Sequence, residues 1–324
     1  MGKLARDASG SKLRLTSVLV VAALLFCPLS ILCAQDLSPR AYLITPIHSN
    51  AVTLSYSFSD GSINFNGALP VSDAKGRYSV PILGYFHSFN LFGRSANAGA
   101  VLPYAFGNFH GTTAAAPQHL YRSGLVDSFY RVSVNLKGGP AMPAREFIQW
   151  RQKVLLGVSL NVIAPTGQYD PTKLINWGAN RWAFKPEFGY SQRWGNWIVD
   201  GYAGGWFFTT NSEFWSHNSS YPGTRPQSQK PMASFEGHLS YDFKPGVWIS
   251  LDGNFWVGGR TSVAGVENSL TRQQNSRLGG TGAIRIAKHQ SLKFGYSDGT
   301  YVRYGGNYQN VSIGWQYSWL GKPN

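Results

Sequence analysis

Residues 182–193 read Trp-Ala-Phe-Lys-Pro-Glu-Phe-Gly-Tyr-Ser-Gln-Arg. On an extended chain Trp182, Phe184, Pro186, Phe188 and Tyr190 fall on one side, and Ala183, Lys185, Glu187, Gly189, Ser191 and Arg193 on the other, because successive strand side chains point to opposite faces. A helix would scatter both sets around its circumference, so the period of two marks a strand. What remains open from this stretch alone is whether the aromatic row faces a soluble core or lipid.

Repetition answers that question. Val52, Leu54, Tyr56 and Phe58 alternate with Thr53, Ser55, Ser57 and Ser59; Phe235, Leu239, Tyr241 and Phe243 alternate with Glu236, His238, Ser240 and Asp242. Ile249, Leu251, Phe255 and Val257 alternate with Ser250, Asp252 and Asn254, and Val311, Ile313, Trp315, Tyr317 and Trp319 with Ser312, Gln316 and Ser318. Segments of about ten residues with one apolar and one polar face are the signature of transmembrane strands. Trp182, Tyr190, Trp197, Trp315 and Trp319 sit at segment ends, as interfacial aromatic girdles require. A lipocalin-like soluble barrel, which turns its apolar face inward, explains those positions less well.

The spacing predicts an all-β, transmembrane antiparallel barrel of about twelve strands, near residues 51–59, 79–92, 96–106, 124–137, 152–164, 181–194, 196–208, 232–243, 247–258, 276–287, 290–297 and 308–320. Connections alternate in length. The stretches 60–78, 107–123, 165–180, 209–231, 259–275 and 298–307 read as long extracellular loops; 93–95, Gly195, 244–246 and 288–289 read as short periplasmic turns. The connection 138–151 is long and proline-bearing where a short turn is expected, and reads as a small periplasmic helix or plug piece.

Composition agrees. Only 14% of the chain is charged while 15% is aromatic, and glycine contributes 37 residues. Beyond residue 34 no stretch approaches the ~18 uninterrupted apolar residues of a spanning helix, so a membrane location requires strands. The chain opens with Lys3, Arg6, Lys12 and Arg14, runs apolar from Val18 to Leu32 and reaches Ala34, the pattern of an export signal. The expected organisation is a signal peptide at 1–34, a lead-in at 35–44 and the barrel at 45–324. Cys27 and Cys33 both lie in the signal, so the exported chain holds no thiol and no cysteine metal site.

Few residues are spaced for chemistry. No Gly-x-Ser-x-Gly turn occurs, the seven histidines are scattered, and no His-x-x-x-His or Asp-x-Asp-x-Asp pattern is present. His238 beside Glu236 is the best base-and-orienter pair, but no nucleophile is fixed by spacing. No catalytic residue, cofactor or metal is expected. The net charge of +14 is dispersed rather than clustered, which points to lipopolysaccharide or anionic solutes rather than to nucleic acid.

Between the fifth and sixth strands lie Pro165-Thr166-Gly167-Gln168-Tyr169-Asp170, Leu174-Ile175-Asn176-Trp177-Gly178 and Asn180-Arg181-Trp182. With Lys185-Pro186-Glu187, Gly124-Leu125-Val126-Asp127 and Gly138-Gly139-Pro140-Ala141-Met142, they resemble the MetA-pathway phenol-degradation family of outer-membrane transporters, from about residue 38 to the C-terminus. The resemblance implies a barrel encoded beside the degradation of aromatic or hydrophobic compounds, with uptake as its role. It assigns no catalytic or ligand-binding residue. One departure concerns the end of the chain: barrels usually finish on an aromatic residue read by the assembly machinery, whereas here Trp319-Leu320 is followed by Gly321-Lys322-Pro323-Asn324.

A twelve-stranded cylinder is wide enough for a constricted passage and too narrow for an open porin. The candidate lumen residues are Lys185, Glu187, Arg193, Tyr202, Trp206, Glu236, His238, Trp248, Asp252, Trp256, Arg277, Arg285 and Lys293. The aromatic members would stack a planar solute, and Arg193, Arg277, Arg285 and Lys293 would set a positive field that admits carboxylates. The competing arrangement has the rings packing on one another and the charges pairing across the lumen. Expected partners are outer-membrane lipid and lipopolysaccharide, a small aromatic or hydrophobic solute and the barrel-assembly machinery. The alternatives to a channel are a lipid-acting enzyme or a structural, adhesive barrel, with Trp215 and Tyr221 of loop 209–231 as the adhesive surface.

Overall fold

A computed structural model of the chain describes residues 37–68, 71–113, 116–219 and 221–321; the expected signal peptide and the last three residues lie outside them. The barrel strands are β1 (Ser49–Asn64), β2 (Val71–Leu91), β3 (Arg94–Thr113), β4 (Pro117–Leu125), β5 (Ser128–Lys137), β6 (Val154–Ala164), β7 (Ala183–Trp194) and β8 (Trp197–Phe208). They continue as β10 (Met232–Lys244), β11 (Val247–Gly258), β14 (Gln273–Ala287), β15 (Gln290–Val302) and β16 (Gly305–Leu320). Every neighbouring pair is antiparallel, and β1 pairs with β16 from Ser49↔Leu320 to Asn64↔Gly305, which shuts the cylinder. Because β3 pairs with β5 at Ala96–Val101 and with β4 at Tyr104–Thr112, those two segments share one stave, broken at Val126-Asp127. The result is a closed barrel of twelve staves, the arrangement that satisfies backbone groups in hydrocarbon without an open edge.

The outer surface carries the apolar rows read from the sequence. Leu54, Phe188 and Leu251 are 52%, 46% and 65% exposed, while Lys185, Glu187, His238 and Asp252 on the alternate positions are buried inside. Both barrel ends of the chain, Ser49 and Leu320, lie at the end of the short turns. One of those turns is Phe92-Gly93, where both residues have positive φ (50° and 80°), the two-residue geometry whose twist matches a hairpin. Trp194, Trp197, Tyr241 and Phe243 ring that periplasmic end, with the Trp197 and Tyr241 rings 4.8 Å apart.

Three of the six expected long loops are largely strand. β1 and β2 run to Asn64 and from Val71, β3 and β4 to Thr113 and from Pro117, and β15 and β16 to Val302 and from Gly305. Beyond the lipid band the hydrogen-bonded ladder continues into water with the outer face turned polar, at Ser62, Lys75, Arg77, Asn108 and His110, while Ile63, Ala74, Tyr78 and Phe109 are buried inside. An apolar outer face therefore marks the lipid band rather than the length of the strand. The remaining outer connections carry structure of their own. β9 (Gln227–Gln229), β12 (Thr261–Val263) and β13 (Val266–Asn268) join loops 209–231 and 259–272 into a three-stranded cap. On the periplasmic side the 138–151 connection contains α1 (Ala144–Gln149).

Candidate functional site

The lead-in lies inside the barrel. Leu37 reaches β14, where a Cβ added to Gly279 would stand 2.8 Å from Leu Cδ1. Arg40 donates from Nη1 to Asp242 Oδ1 at 2.7 Å and from its backbone N–H to Asp200 Oδ2 at 3.2 Å, and its guanidinium lies 4.2 Å from the Trp248 ring centroid. The backbone N–H of Ala41 donates to the Tyr202 hydroxyl at 3.0 Å, and Arg131 donates to the Ala41 carbonyl at 3.2 Å. Tyr42 donates to Glu187 Oε1 at 3.1 Å and shares a 2.9 Å hydrogen bond with Ser159. Its ring rests on β6 and β7 at Gly157 and Gly189: a Cβ at either position would stand 2.4 or 2.1 Å from a Tyr42 ring carbon. Further along, Ile44 packs with Met142 and Leu155, and Ile47 N–H donates to the Met142 carbonyl at 2.9 Å. Residues 37–47 thus form a strap from the β14 wall to the β6 wall, anchored by opposite charges and by glycines that leave room for side chains.

Above the strap the inward positions of neighbouring strands form a ladder of paired charges. Lys185 Nζ lies 2.6 Å from Glu187 and 3.2 Å from Glu236. His238 sits 3.7 Å from Glu236 and 2.9 Å from Asp252, whose carboxylate also accepts from Ser250 at 2.5 Å and Thr281 at 2.6 Å. The sequence places these groups together because Glu236↔Tyr202, His238↔Asp200 and His238↔Asp252 are cross-strand partners. Charges removed from water are tolerated only when paired and hydrogen-bonded, and here each acid of the ladder meets a donor.

Aromatic side chains occupy the outer part of the lumen in two groups. In one, the Tyr78 ring centroid lies 5.1 Å from Tyr308 and 5.7 Å from Trp177, and Phe109 lies 5.7 Å from Trp177. In the other, Trp206 and Trp256 pack with Met232, Ile163 and Phe208, and Lys185 lies 5.5 Å from the Trp206 ring. The indole N–H groups of Trp177 and Trp206 are buried without a hydrogen-bond partner. By contrast Trp256 donates to Gln273 at 2.8 Å.

Trp177 is held there by the motif loop. Asp127, at the break between β4 and β5, accepts from Gly167 N–H at 2.9 Å with one oxygen and from Ala179 N–H at 2.8 Å with the other, stapling the two ends of 165–180 together. Gly167 and Gly178 pack backbone to backbone, so a Cβ on either would meet the other at 2.7 to 2.8 Å. Thr166 receives the Ser128 N–H at 2.9 Å, Asn176 bonds Asp170 N–H and carbonyl at 3.0 Å each, and Tyr169 donates to the Glu213 carbonyl at 3.0 Å, tying this loop to the next one. Arg181 is buried, bonds Gln229 and lies over Phe208, while Trp182 stays on the outside, stacked on Phe184. Pro165 leads the chain off β6 into this turn. The motif residues thus build a folded loop rather than a reactive centre.

Of the thirteen lumen candidates, Lys185, Glu187, Tyr202, Glu236, His238 and Asp252 meet in the ladder, with the Tyr202 and His238 rings 5.1 Å apart. Trp248 meets Arg40, and Arg193 pairs with Asp242 at 2.7 Å. Arg277 is buried against Ser297 and the Tyr308 carbonyl; Arg285 and Lys293 are exposed and stand outside the ladder, so the four basic residues do not form a common field. Sequence reasoning missed Arg40, Tyr42 and Arg131, and singled out Asp127 only as part of a family motif, with no role assigned. The lead-in has no alternation to reveal it, but inward glycines at 157, 189 and 279 were a readable sign that something approaches the wall.

The family model for the MetA-pathway of phenol degradation matches residues 52–321. The chain belongs to that family. Among solved structures, an outer membrane channel from Pseudomonas putida F1 is 20% identical, with a TM-score of 0.71 over 88% of this chain and 100% of that one. The β domain of the Bordetella autotransporter BrkA is 12% identical, covering 84% of this chain and 100% of that one at a TM-score of 0.49. No curated protein sequence matches. This family member is an outer-membrane β-barrel.

Proposed function

We propose that the protein is a passive channel for small aromatic or apolar solutes crossing the outer membrane. The observation that carries this reading is the lumen itself, which is aromatic at its outer end, lined by a ladder of paired charges in its middle and crossed by a strap. Solutes that stack on rings are favoured at such an entrance, while freely hydrated ions find few unpaired charges to replace their water. The family's association with phenol degradation supports the same solute class, and the donors on Trp177 and Trp206 suit an oxygen-bearing ring. Paired charges make the passage weakly selective, so anionic and neutral forms of an aromatic acid should compete.

Single-channel recording of refolded protein in planar bilayers tests the proposal, with phenol and benzoate titrated as blockers. Small discrete openings reduced by both compounds are expected. A silent but fully folded barrel, unaltered by deletion of residues 37–47, would move the reading to a closed structural or adhesive barrel.

A further inference from the structure

The hairpin of β3 and β4 stands beyond the apolar band, and on its outer face His110 and His119 are direct cross-strand partners. Both are exposed. Their ring centroids lie 4.5 Å apart at an interplanar angle of 82°, and the two Nδ1 atoms face one another at 2.5 Å, one ring donating and the other accepting. Cross-strand neighbours on a ladder have a fixed separation, so the backbone holds the two imidazoles together without further contacts. Nothing in the channel reading uses them, since they face away from the lumen.

From this geometry we propose that His110 and His119 form a surface binding site for a late first-row divalent metal ion. Neutral imidazole is a ligand for copper, nickel and zinc, with metal–nitrogen distances of ~2.0–2.1 Å for zinc. Two nitrogens on one ion then stand roughly 3 Å apart, so opening the pair by about half an ångström admits the ion while the strands stay paired. Among the described residues no group of three or more His, Cys, Asp or Glu side chains converges, so water completes the coordination sphere and the ion exchanges readily. Preference should follow the order in which copper(II) exceeds nickel(II) and zinc(II). Lys75, the cross-strand partner of His110 on β2, opposes the cation, but solvent and salt at this exposed site screen it.

The test is calorimetric titration of copper(II) and nickel(II) into untagged, refolded full-length protein, with electron paramagnetic resonance of the copper form. One ion per barrel is expected, copper tighter than nickel, with nitrogen hyperfine structure from two imidazoles. His110→Ala and His119→Ala should each weaken binding at least tenfold, and His217→Ala and His289→Ala should leave it unchanged. All four positions are at the surface, and heat-modifiable gel mobility confirms that each variant is folded. Unaltered affinity in His119→Ala, loss in His217→Ala, or absence of saturable binding in the unsubstituted protein would each overturn the site.

Discussion

The two ends of the lumen solve the same problem in different ways. At the periplasmic end a segment of the chain itself fills the barrel, held by hydrogen bonds to polar and charged groups of the wall: Arg40 to Asp242 and Asp200, Ala41 to Tyr202 and Arg131, Tyr42 to Ser159 and Glu187. At the outer end the filling is aromatic, carried partly by a folded loop, and two indole donors stay unmatched. Hydrogen bonds to charged groups are directional and costly to break singly, whereas ring packing is adaptable. The first end is therefore a latch and the second a surface on which a solute can replace one ring contact by another.

Removing the latch is the strongest way to break that comparison. Deletion of residues 37–47 should raise single-channel conductance several-fold, and Arg40→Ala should give part of the same increase by leaving Asp242 without its strap partner while the backbone N–H at position 40 still reaches Asp200. Gly189→Ala offers an independent route, since its Cβ would stand 2.1 Å from the Tyr42 ring and must displace it. If the deleted protein conducts no better than the full chain, the strap is not what limits passage.

Next in size is the staple that holds the outer loop. Asp127→Ala removes two hydrogen bonds from a carboxylate to backbone N–H groups, each contributing about 1.5–3 kcal/mol in such settings. The expected result is selective protease cleavage within 165–180 while the barrel resists. Asp127→Asn should give a smaller effect, because one acceptor oxygen remains. Cleavage spread evenly over all outer loops would mean that the substitution had damaged the barrel instead.

How much of this could be read beforehand follows from where each force acts. Lipid imposes a period of two on every stave, so residues such as Phe184, Phe188, Leu239 and Leu251 announce the barrel and its inward partners Lys185, Glu187 and His238. Beyond the lipid band the outward face is polar and only scattered residues such as Ile63 and Phe109 face inward, which is why the ladder from Asp60 to Asn64 and the hairpin carrying His110 and His119 looked like loop. The strap is fixed by particular partners rather than by a pattern, so Leu-Ser-Pro-Arg-Ala-Tyr gives no sign of its place. Gly279, which makes room for Leu37 and Ser297, signals that something approaches the wall there but not which segment does.

Trp177→Ala tests the adaptable end. Loss of one ring contact is worth about 0.5–1.5 kcal/mol beyond burial, so the concentration of phenol needed for half-block should rise several-fold while the conductance of the unblocked pore changes little. An unchanged half-block concentration would place the solute elsewhere in the lumen.

The smallest expected effect concerns Asp170, in the outer loop. Its carboxyl is held down at about 2, first by the Lys173 hydrogen bond and then by Thr172. A carboxyl whose folded value is depressed stabilises the fold above its ordinary range and loses that contribution as pH falls through the depressed value. The turn from Asp170 to Asn176 should therefore stay formed through mild acid and loosen only as pH approaches 2. Because the group is partly exposed, water and salt screen the pairing with Lys173, and Asp170→Asn should leave thermal stability nearly unaltered. A carboxyl titration by NMR that shows protonation in the ordinary carboxylate range would remove the Lys173 pairing and leave the Asn176 bonds alone to hold the turn.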